Sequence, residues 1–405
     1  MKKIFLICLF FFSAFFLFSQ YFHTPSLLTP YYEAALETLE LDSRSVVLID
    51  ASTATLLFAK NADEEIPPAS LTKLMTMNIA MNEVKAGRAS YDEVVKLTED
   101  SWSLRQPPRS SLMFLEPEQT VTLREVLLGL AVPSGNDAAV AIALRFAPSM
   151  NDFAQMMTKE ARNMGLKVTR FVESSGYSEQ NIITANEFAF FCYQYVRLHP
   201  DSMKDFHSVK EFSYPLGKNE SGRFRNYPRT ITQVNRNNLL YNYEGVDGLK
   251  TGYINESGYN LALTAIQNQN RFIAVILGAS SERTRQDDGR ILLNWAFENF
   301  KTVRPLISHI EQARLWKGKE NNVQLKLAGE ADFTSPLNRS NNLFFHNEIN
   351  DPLIAPLSEN HQVGFLVISD EEGEVSRVPL LTVKNYEKGN FFKRIWHSIL
   401  LLFKR

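Results

Sequence analysis

The chain has 405 residues, which favours two domains because a single hydrophobic core seldom grows beyond about 250–300 residues. Hydrophobic residues make up 44% of the chain and charged residues 22%, proportions that are typical of a globular protein and exclude a disordered one. The formal net charge of −2, from 43 basic and 45 acidic residues, argues against a nucleic-acid-binding protein.

Residues 1–20 have the pattern of a secretory signal peptide. Lys2 and Lys3 precede the apolar run Ile4–Phe18, and a charged start followed by about 7–15 apolar residues is typical of such a signal. The run is short for a spanning helix, which needs about 20 residues, but an uncleaved anchor is the alternative interpretation. Both interpretations predict that the rest of the chain is exported.

The next region mixes strands and helices. Residues 44–60, "RSVVLIDASTATLLFAK", predict two strands joined at "AST". Apolar residues recur at helical spacing from Ser70 to about Lys85, and the prolines at 67 and 68 prevent an earlier start, so Ser70 is expected in the first helical turn. The same patterns predict helices at 123–130, 137–145, 152–163, 186–197 and 283–300 and strands at 259–266 and 271–279. Strands at both ends of a helical middle predict an α+β fold, with one mostly antiparallel sheet covered by helices.

After about Val303 the pattern changes to period two. The segments "NNVQLKLAGEADFT" and "HQVGFLVISDEEGEVSRVPLLTV" alternate between apolar and polar residues, which predicts a small all-β sandwich domain. The predicted boundaries are therefore 1–20 for the signal peptide, 21–302 for the α+β domain, 303–386 for the all-β domain and 387–405 for a final helix.

The final helix is amphipathic and basic. Apolar residues from Phe391 to Phe403 line one face at four-residue steps, and the basic residues fall largely elsewhere. About 15 helical residues span roughly 22 Å, less than the hydrocarbon core of about 30 Å. A basic amphipathic helix with Phe and Trp is suited to the membrane interface, so we expect residues 391–405 to bind a membrane surface. Packing on its own domain or on a partner is the alternative.

The candidate chemistry starts at Ser70 and Lys73, which lie on one face of the predicted helix. A serine hydroxyl is a poor nucleophile until a base takes its proton. A neutral lysine one turn away is suited to that task, provided that burial or a neighbouring cation lowers its pKa from about 10.4. A chance S-x-x-K with an ordinary lysine is the alternative.

Two further motifs follow in the chain. "VPSGNDAAVAIA" places Ser134 and Asn136 just before a predicted helix, where both are alternatively helix caps. "VDGLKTGYIN" places Lys250, Thr251 and Gly252 before a strand hairpin, where the alternative is a turn with a solvated lysine. Each motif is weak when it is taken alone.

Together the three motifs fit acyl transfer through Ser70, with Lys73 as its base. Lys250 is expected to supply the cation that lowers the pKa of Lys73, and to bind a substrate carboxylate. The backbone N–H groups of Ser70 and Tyr253 are candidates for an oxyanion hole. Ser134 is expected to relay a proton to the leaving amine, and Asn136 to bind a substrate amide. Thr251 is expected to place a hydroxyl near the carboxylate, and Gly252 to allow close approach of the substrate backbone.

In this order, S-x-x-K, S-x-N and K-T-G resemble the three motifs of the penicillin-recognising serine acyltransferases. More narrowly, the chain resembles the type-5 low-molecular-mass penicillin-binding proteins, which are D-alanyl-D-alanine carboxypeptidases. The resemblance runs from about Arg44 to the C-terminus. It rests on segments such as "ASLTKLMT", "SSLMFLEP", "SGNDAAVA", "NRNNLLY", "VDGLKTGY", "SGYNLALTA", "LIAPLSENHQVG" and "GNFFKRIW".

The resemblance implies a penicillin-binding/β-lactamase-like catalytic domain, a β-rich stalk and an amphipathic membrane anchor. It implies removal of the terminal D-alanine from peptidoglycan pentapeptides at the periplasmic face of the cytoplasmic membrane, inhibition by β-lactams, and no cofactor. No H-E-x-x-H metal motif is present in the sequence. Arg236, in "NRNN", is similar to the arginine that this family places near the terminal carboxylate, with a surface salt bridge as the alternative.

One departure from the family pattern is Tyr253, because close relatives often have His directly after K-T-G. A β-lactamase is an alternative function, but the E-x-x-x-N motif of that class is missing between Asn136 and Lys250. An endopeptidase or transpeptidase remains open, since the same acyl-enzyme can pass to water or to an amine. A catalytically idle wall-binding protein is the alternative from another class.

Overall fold

The structure, a computed structural model, describes residues 39–403 except 307–309, 311, 330, 341 and 372. The predicted signal peptide at 1–20 and the last two residues of the predicted anchor lie outside the described residues. The chain divides into two compact units between Leu293 and Asn294.

The first unit is built on a five-stranded sheet in which every pairing is antiparallel. Its described strands are β1 (Ser45–Asp50), β2 (Leu56–Lys60), β3 (Val94–Val95), β4 (Val121–Thr122), β5 (Glu211–Tyr214), β6 (Ile231–Val234), β7 (Val246–Ile254), β8 (Gly258–Gln267) and β9 (Asn270–Ala279). The large sheet has the order β2-β1-β9-β8-β7, so β7 lies at one edge. The short strands pair separately as β3–β4 and β5–β6.

Helices supply the rest of this unit. The described helices are α1 (Thr72–Lys85), α2 (Leu123–Ala131), α3 (Asn136–Phe146), α4 (Met150–Asn163), α5 (Ala185–Leu198), α6 (Leu239–Asn242) and α7 (Glu282–Asn299), the last of which continues into the second unit. Strand β1 is buried along its whole length, which explains its near-continuous apolar run, because both faces of the strand are covered. The predicted α+β class, with an antiparallel sheet and helices, is confirmed.

The second unit is rich in β-structure. It contains β10 (Phe300–Val303), β11 (Ala313–Trp316), β12 (Asn322–Val323), β13 (Leu325–Leu327), β14 (Phe333–Pro336), β15 (Phe344–Ile349), β16 (Leu353–Ile354), β17 (Gln362–Asp370), β18 (Gly373–Thr382) and the helix α8 (Phe391–Leu402). The sheets have the orders β13-β18-β17-β15, β12-β11-β16 and β10-β14, with β11–β16 as a parallel pair. Apolar residues at alternate positions, such as Leu366 and Ile368, form its core, as the period-two pattern predicted.

The division between the units lies earlier than the predicted boundary between residues 302 and 303. Strand β10, which the predicted boundary would cut after residue 302, pairs antiparallel with β14 and therefore belongs to the second unit. Its short sequence, "FKTV", carries too little periodicity to show which sheet it joins.

Helix α8 packs on the second unit through one face only. His397 is buried, its Nδ1 accepts a 2.8 Å hydrogen bond from the Lys317 N–H, and its ring meets that of Trp316 edge-on. The opposite face exposes large apolar side chains, with Phe392 80% and Trp396 59% accessible. In the part of the chain that the structure describes, no helix has both the length and the apolar character needed to cross a membrane.

Candidate active site

Ser70 lies in a 3-10 turn, Ala69–Leu71, directly before α1, so it precedes the α-helix that was predicted to begin with it. Ala69 has a φ of 50°, which an α-helix does not accept. Two glycines make room for this turn. A Cβ at Gly176 would lie 1.8 Å from the Ala69 carbonyl oxygen, and one at Gly252 would lie 3.0 Å from the Ser70 nitrogen. Strand β7 therefore passes directly beside the backbone N–H of Ser70.

Lys73 is fully buried, with its Nζ directed at the serine. The Nζ donates hydrogen bonds of 3.0 Å to Ser70 Oγ, 2.7 Å to Asn136 Oδ1 and 2.5 Å to the Ser175 carbonyl. Burial lowers the pKa of Lys73 to about 7, against the opposing charges of nearby carboxylates. Since the amine is about half neutral at pH 7, a base is available at the Ser70 hydroxyl.

The charge of Lys250 was expected to lower the pKa of Lys73, and this expectation is wrong. Burial, rather than the charge of Lys250, is the main reason for the lowered pKa of Lys73, and Arg236 is the cation that adds to it. The pKa of Lys250 is itself lowered well below its usual value, first by burial and then by the charges of Lys73 and Arg236. Sequence spacing shows that two lysines are present but not how deeply each is buried.

Ser134 and Asn136 do not cap helix α3. Gly135 is the N-cap residue and supplies no side-chain bond, and the Asp137 carboxylate accepts from the Ala138 N–H in the first turn. Asn136 Nδ2 instead donates to Ser110 Oγ at 3.0 Å, while its Oδ1 accepts from Lys73. Ser134 has a φ of 66°, and its buried Oγ has no hydrogen-bond partner among the residues that the structure describes. A buried, unpaired hydroxyl beside a nucleophile is available for a substrate group.

The K-T-G segment lies on β7, the edge strand of the sheet. Lys250 is only 3% exposed, so the alternative of a solvated lysine does not hold. Its Nζ donates a 3.1 Å hydrogen bond to the Thr251 carbonyl. An edge strand has unpaired backbone groups, and β7 can therefore accept an extended peptide.

A cavity of about 490 Å³ brings most of the predicted residues together. Its lining comprises Ser70, Arg109, Ser111, Ser134, Val234, Asn235, Arg236, Asn238, Thr251, Gly252, Tyr253, Tyr259, Glu282 and Arg285. Arg236 has no salt bridge with any residue that the structure describes, so the surface-salt-bridge alternative is not observed. The Tyr253 hydroxyl donates to Asn255 Oδ1 at 2.8 Å, and its ring lies 4.4 Å from that of Tyr259.

Glu173 is a residue of this site that sequence reasoning missed. Its carboxylate accepts the N–H groups of Ser175 and Gly176 at 2.6 and 2.7 Å and the Asn181 side-chain amide at 2.7 Å. These bonds fix the loop whose Ser175 carbonyl accepts from Lys73. The only sequence signal is a carboxylate ahead of "SSG", which is typical of a side-chain-closed turn but not of any one activity.

A serine hydroxyl that is hydrogen-bonded to a buried lysine of lowered pKa, at a cavity rich in cations, defines a serine acyl-transfer enzyme. Comparison with known proteins identifies the family. The family described as D-alanyl-D-alanine carboxypeptidase matches residues 32–281, and the family described as penicillin-binding protein 5, C-terminal domain, matches residues 300–388. The chain belongs to the D-alanyl-D-alanine carboxypeptidase family, which confirms the predicted family and the class of hydrolase.

Individual relatives match over nearly the whole chain. The D-alanyl-D-alanine carboxypeptidase DacC of Escherichia coli is 32% identical over 92% of this chain and 91% of its own length. Penicillin-binding protein 5 of Haemophilus influenzae has a solved structure that covers 87% of this chain and 100% of its own, with a TM-score of 0.77 and 29% identity. Penicillin-binding protein D2 of Listeria monocytogenes, solved in its ampicillin-bound form, covers 64% of this chain and 99% of its own, with a TM-score of 0.55 and 25% identity.

Proposed function

We propose that this protein removes the terminal D-alanine from peptidoglycan pentapeptide stems through an acyl-enzyme on Ser70. The observation that carries the proposal is the 3.0 Å hydrogen bond between Lys73 Nζ and Ser70 Oγ, with the pKa of Lys73 at about 7. The family match supports the same activity, as does the relative that matches over about nine tenths of both chains. The comparisons do not favour the endopeptidase, transpeptidase and β-lactamase alternatives.

Acylation begins when neutral Lys73 takes the Ser70 proton and the Oγ attacks the carbonyl carbon between the two D-alanines. The N–H groups of Ser70 and Tyr253 stabilise the oxyanion. The C–N bond then breaks, and the departing D-alanine nitrogen receives the proton that Lys73 took from Ser70, relayed through the Ser134 hydroxyl. Water completes the cycle by releasing the shortened stem from Ser70.

Binding groups flank these reacting atoms. The substrate's terminal carboxylate is held by Lys250, Thr251 and Arg236. Arg236 and the edge strand β7, which carries Thr251, line the same cavity as Ser70. Asn136 holds a substrate amide, and Gly252, which has no Cβ, lets β7 pass close to the Ser70 turn so that the substrate backbone can lie along this strand. The Tyr253 side chain is engaged by Asn255 and Tyr259, so its backbone N–H is the group assigned to catalysis.

The test is release of D-alanine from a stem pentapeptide by the full chain, followed by mass spectrometry after incubation with penicillin. We expect one D-alanine per stem and a single penicillin adduct on the peptide that contains Ser70, because the β-lactam amide mimics the scissile bond. Rapid loss of penicillin at catalytic enzyme concentrations would instead support a β-lactamase. A folded protein that releases no D-alanine and takes up no penicillin would contradict the proposal.

We further propose that the protein is exported and held at the periplasmic face of the cytoplasmic membrane by residues 391–405. The exposed apolar face of α8 supports this, since its other face is already occupied by contacts through His397 and Lys393. Phe and Trp side chains on a short basic helix partition into the headgroup region.

The membrane prediction is tested by co-sedimentation with phosphatidylglycerol vesicles. A variant with Phe392→Glu and Trp396→Glu is expected to lose about tenfold or more of its vesicle affinity, since two exposed aromatic groups that would enter the membrane interface are replaced by carboxylates that anionic lipid repels. Leu104→Glu is the control, because Leu104 is 92% exposed but lies on the first unit. Equal binding by all three proteins would argue against anchoring through this helix.

A further inference from the structure

Arg109 has an unusual backbone conformation at the edge of the active-site cavity. Its φ is 66°, in the left-handed region where side chains are disfavoured and glycine is the usual residue. The residue is exposed and lines the cavity together with Ser70 and Ser111. A large side chain kept in a strained conformation at a site is an observation that points to a role for that side chain.

The guanidinium groups of this cavity exceed its carboxylates. Arg109, Arg236 and Arg285 line it, and Glu282 is the only carboxylate among the lining residues. Glu282 Oε1 already accepts hydrogen bonds from the Arg285 guanidinium at 3.4 Å and from Asn238 Nδ2 at 3.5 Å. Neither Arg109 nor Arg236 has a salt bridge or a side-chain hydrogen bond to any residue that the structure describes. The cavity therefore has two guanidinium groups that are available to anions from a ligand.

The two arginines serve different parts of the cavity. The charge of Arg236 lowers the pKa values of both Lys73 and Lys250, which places it by the reacting centre and the carboxylate-binding side. Arg109 directly precedes Ser110, whose Oγ accepts a hydrogen bond from the Asn136 amide. Arg109 thus lies on the side that we assign to the acyl part of the substrate.

One carboxylate on the substrate is not enough to use both groups. The C-terminal carboxylate of a D-alanyl-D-alanine stem is bound by Arg236 with Lys250 and Thr251 in the proposed function, on which this inference rests. We propose that Arg109 binds a second carboxylate, carried by the side chain of the stem residue that precedes D-alanyl-D-alanine. The preferred substrate is then a stem with a free carboxylate at that position, such as a diaminopimelate-type residue, rather than a neutral or amidated one. A guanidinium fork is suited to this task because it pairs with a carboxylate through two hydrogen bonds.

The experiment compares two peptides that differ in one group. Both end in D-alanyl-D-alanine, and the preceding residue is diaminopimelate with either its free side-chain carboxylate or the corresponding primary amide. We measure kcat/KM for D-alanine release with the full chain. The wild-type protein is expected to prefer the carboxylate peptide about tenfold, the order of magnitude for a charge-assisted hydrogen bond at an exposed site. Arg109→Ala is expected to bring that ratio to about one, and Arg109→Lys is expected to retain part of it.

Matched variants separate specificity from folding. Arg105 lies on the same loop and pairs with Glu99 outside the cavity, so Arg105→Ala is expected to leave the ratio unchanged. Arg109→Gly accepts the left-handed conformation and is expected to lose the preference without any decrease in melting temperature.

The outcomes distinguish this inference from the proposed function. A wild-type kcat/KM ratio near one, or a ratio that Arg109→Ala leaves unchanged, would overturn the inference about Arg109. The proposed function would still stand in that case if D-alanine is released from both peptides. Failure of the wild-type protein to cleave either peptide would overturn both. A ratio that falls equally in Arg105→Ala and Arg109→Ala would also overturn the inference, because general charge in the loop would then account for the preference.

Discussion

Replacing Lys73 with methionine is expected to slow acylation of Ser70 by penicillin about 10³-fold, the usual contribution of a positioned general base. Methionine keeps most of the buried volume but offers no amine to take the serine proton. The rate is measured by stopping the reaction at intervals and determining the acylated fraction by mass spectrometry. Ser70→Ala gives the background signal of the assay, since this variant has no hydroxyl to acylate.

The pH profile of the wild-type protein tests the same assignment. The pKa of Lys73 is lowered from 10.5 to about 7, so the amine is protonated and inactive as a base below that pH. The acylation rate should therefore fall about tenfold for each pH unit below 7 and level off above about 8.

Lys85→Met is the matched control for Lys73→Met. Lys85 is the last residue of the same helix and is exposed, so its replacement should leave both the rate and the pH profile intact. A Lys73→Met protein that melts like the wild type yet acylates at the wild-type rate would show that another group takes the proton. A wild-type profile that stays flat between pH 5.5 and 8 would point the same way.

Much of the fold could be predicted from the sequence, because the periodic patterns that indicate helices and strands are local. Apolar periodicity placed α1 and most other helices, and period-two alternation identified the β-rich second unit. The 3-10 turn at Ser70 was not predicted, because the conformation of Ala69 is set by contact with Gly176, which is distant in the chain. Strand β10 was not predicted for a similar reason, since its partner β14 is known only once the chain has folded.

The site itself was only partly accessible from the sequence. Motif order brought Ser70, Lys73 and the K-T-G segment into one hypothesis. In the structure Ser70, Thr251 and Gly252 line one cavity, and the buried Lys73 reaches it through its hydrogen bond to Ser70. The sequence contained no signal for the burial of Lys73 or for the loop that Glu173 closes around it. Both depend on contacts across about 100 residues of chain, such as the one from Lys73 to Ser175. Arg109 was overlooked because a positive φ is a property of the folded backbone.

A second large effect is expected on stability, at His207. This histidine is fully buried, its Nδ1–H donates to the Leu249 carbonyl at 3.2 Å, and its Nε2 accepts from the Tyr195 hydroxyl at 2.7 Å. This tautomer is required because a carbonyl only accepts hydrogen bonds. Burial lowers the pKa of His207 from 6.5 to about 3, and the charge of Lys250 contributes.

The sign of the effect follows from the two pKa values. The unfolded chain binds a proton at His207 below about pH 6.5, whereas the folded protein does not bind it until about pH 3. The stabilising contribution is therefore fully present above pH 6.5 and is lost as the pH falls towards 3. At pH 4 the loss from this residue alone is about 3 kcal/mol in the free energy of unfolding.

His207→Gln removes the titration while retaining one donor and one acceptor. We expect this variant to be less stable than the wild type at pH 7, because its fit beside Leu249 is poorer, but to lose about 3 kcal/mol less between pH 7 and pH 4. Urea unfolding followed by tyrosine and tryptophan fluorescence measures both values. His361→Gln is the control, since His361 is exposed, and it should follow the wild-type curve. If His207→Gln also follows the wild-type pH dependence, His207 is not the group whose protonation opposes folding. Because Leu249 directly precedes Lys250, a loss confined to His207→Gln would place the acid sensitivity of the fold beneath the strand that carries the K-T-G motif.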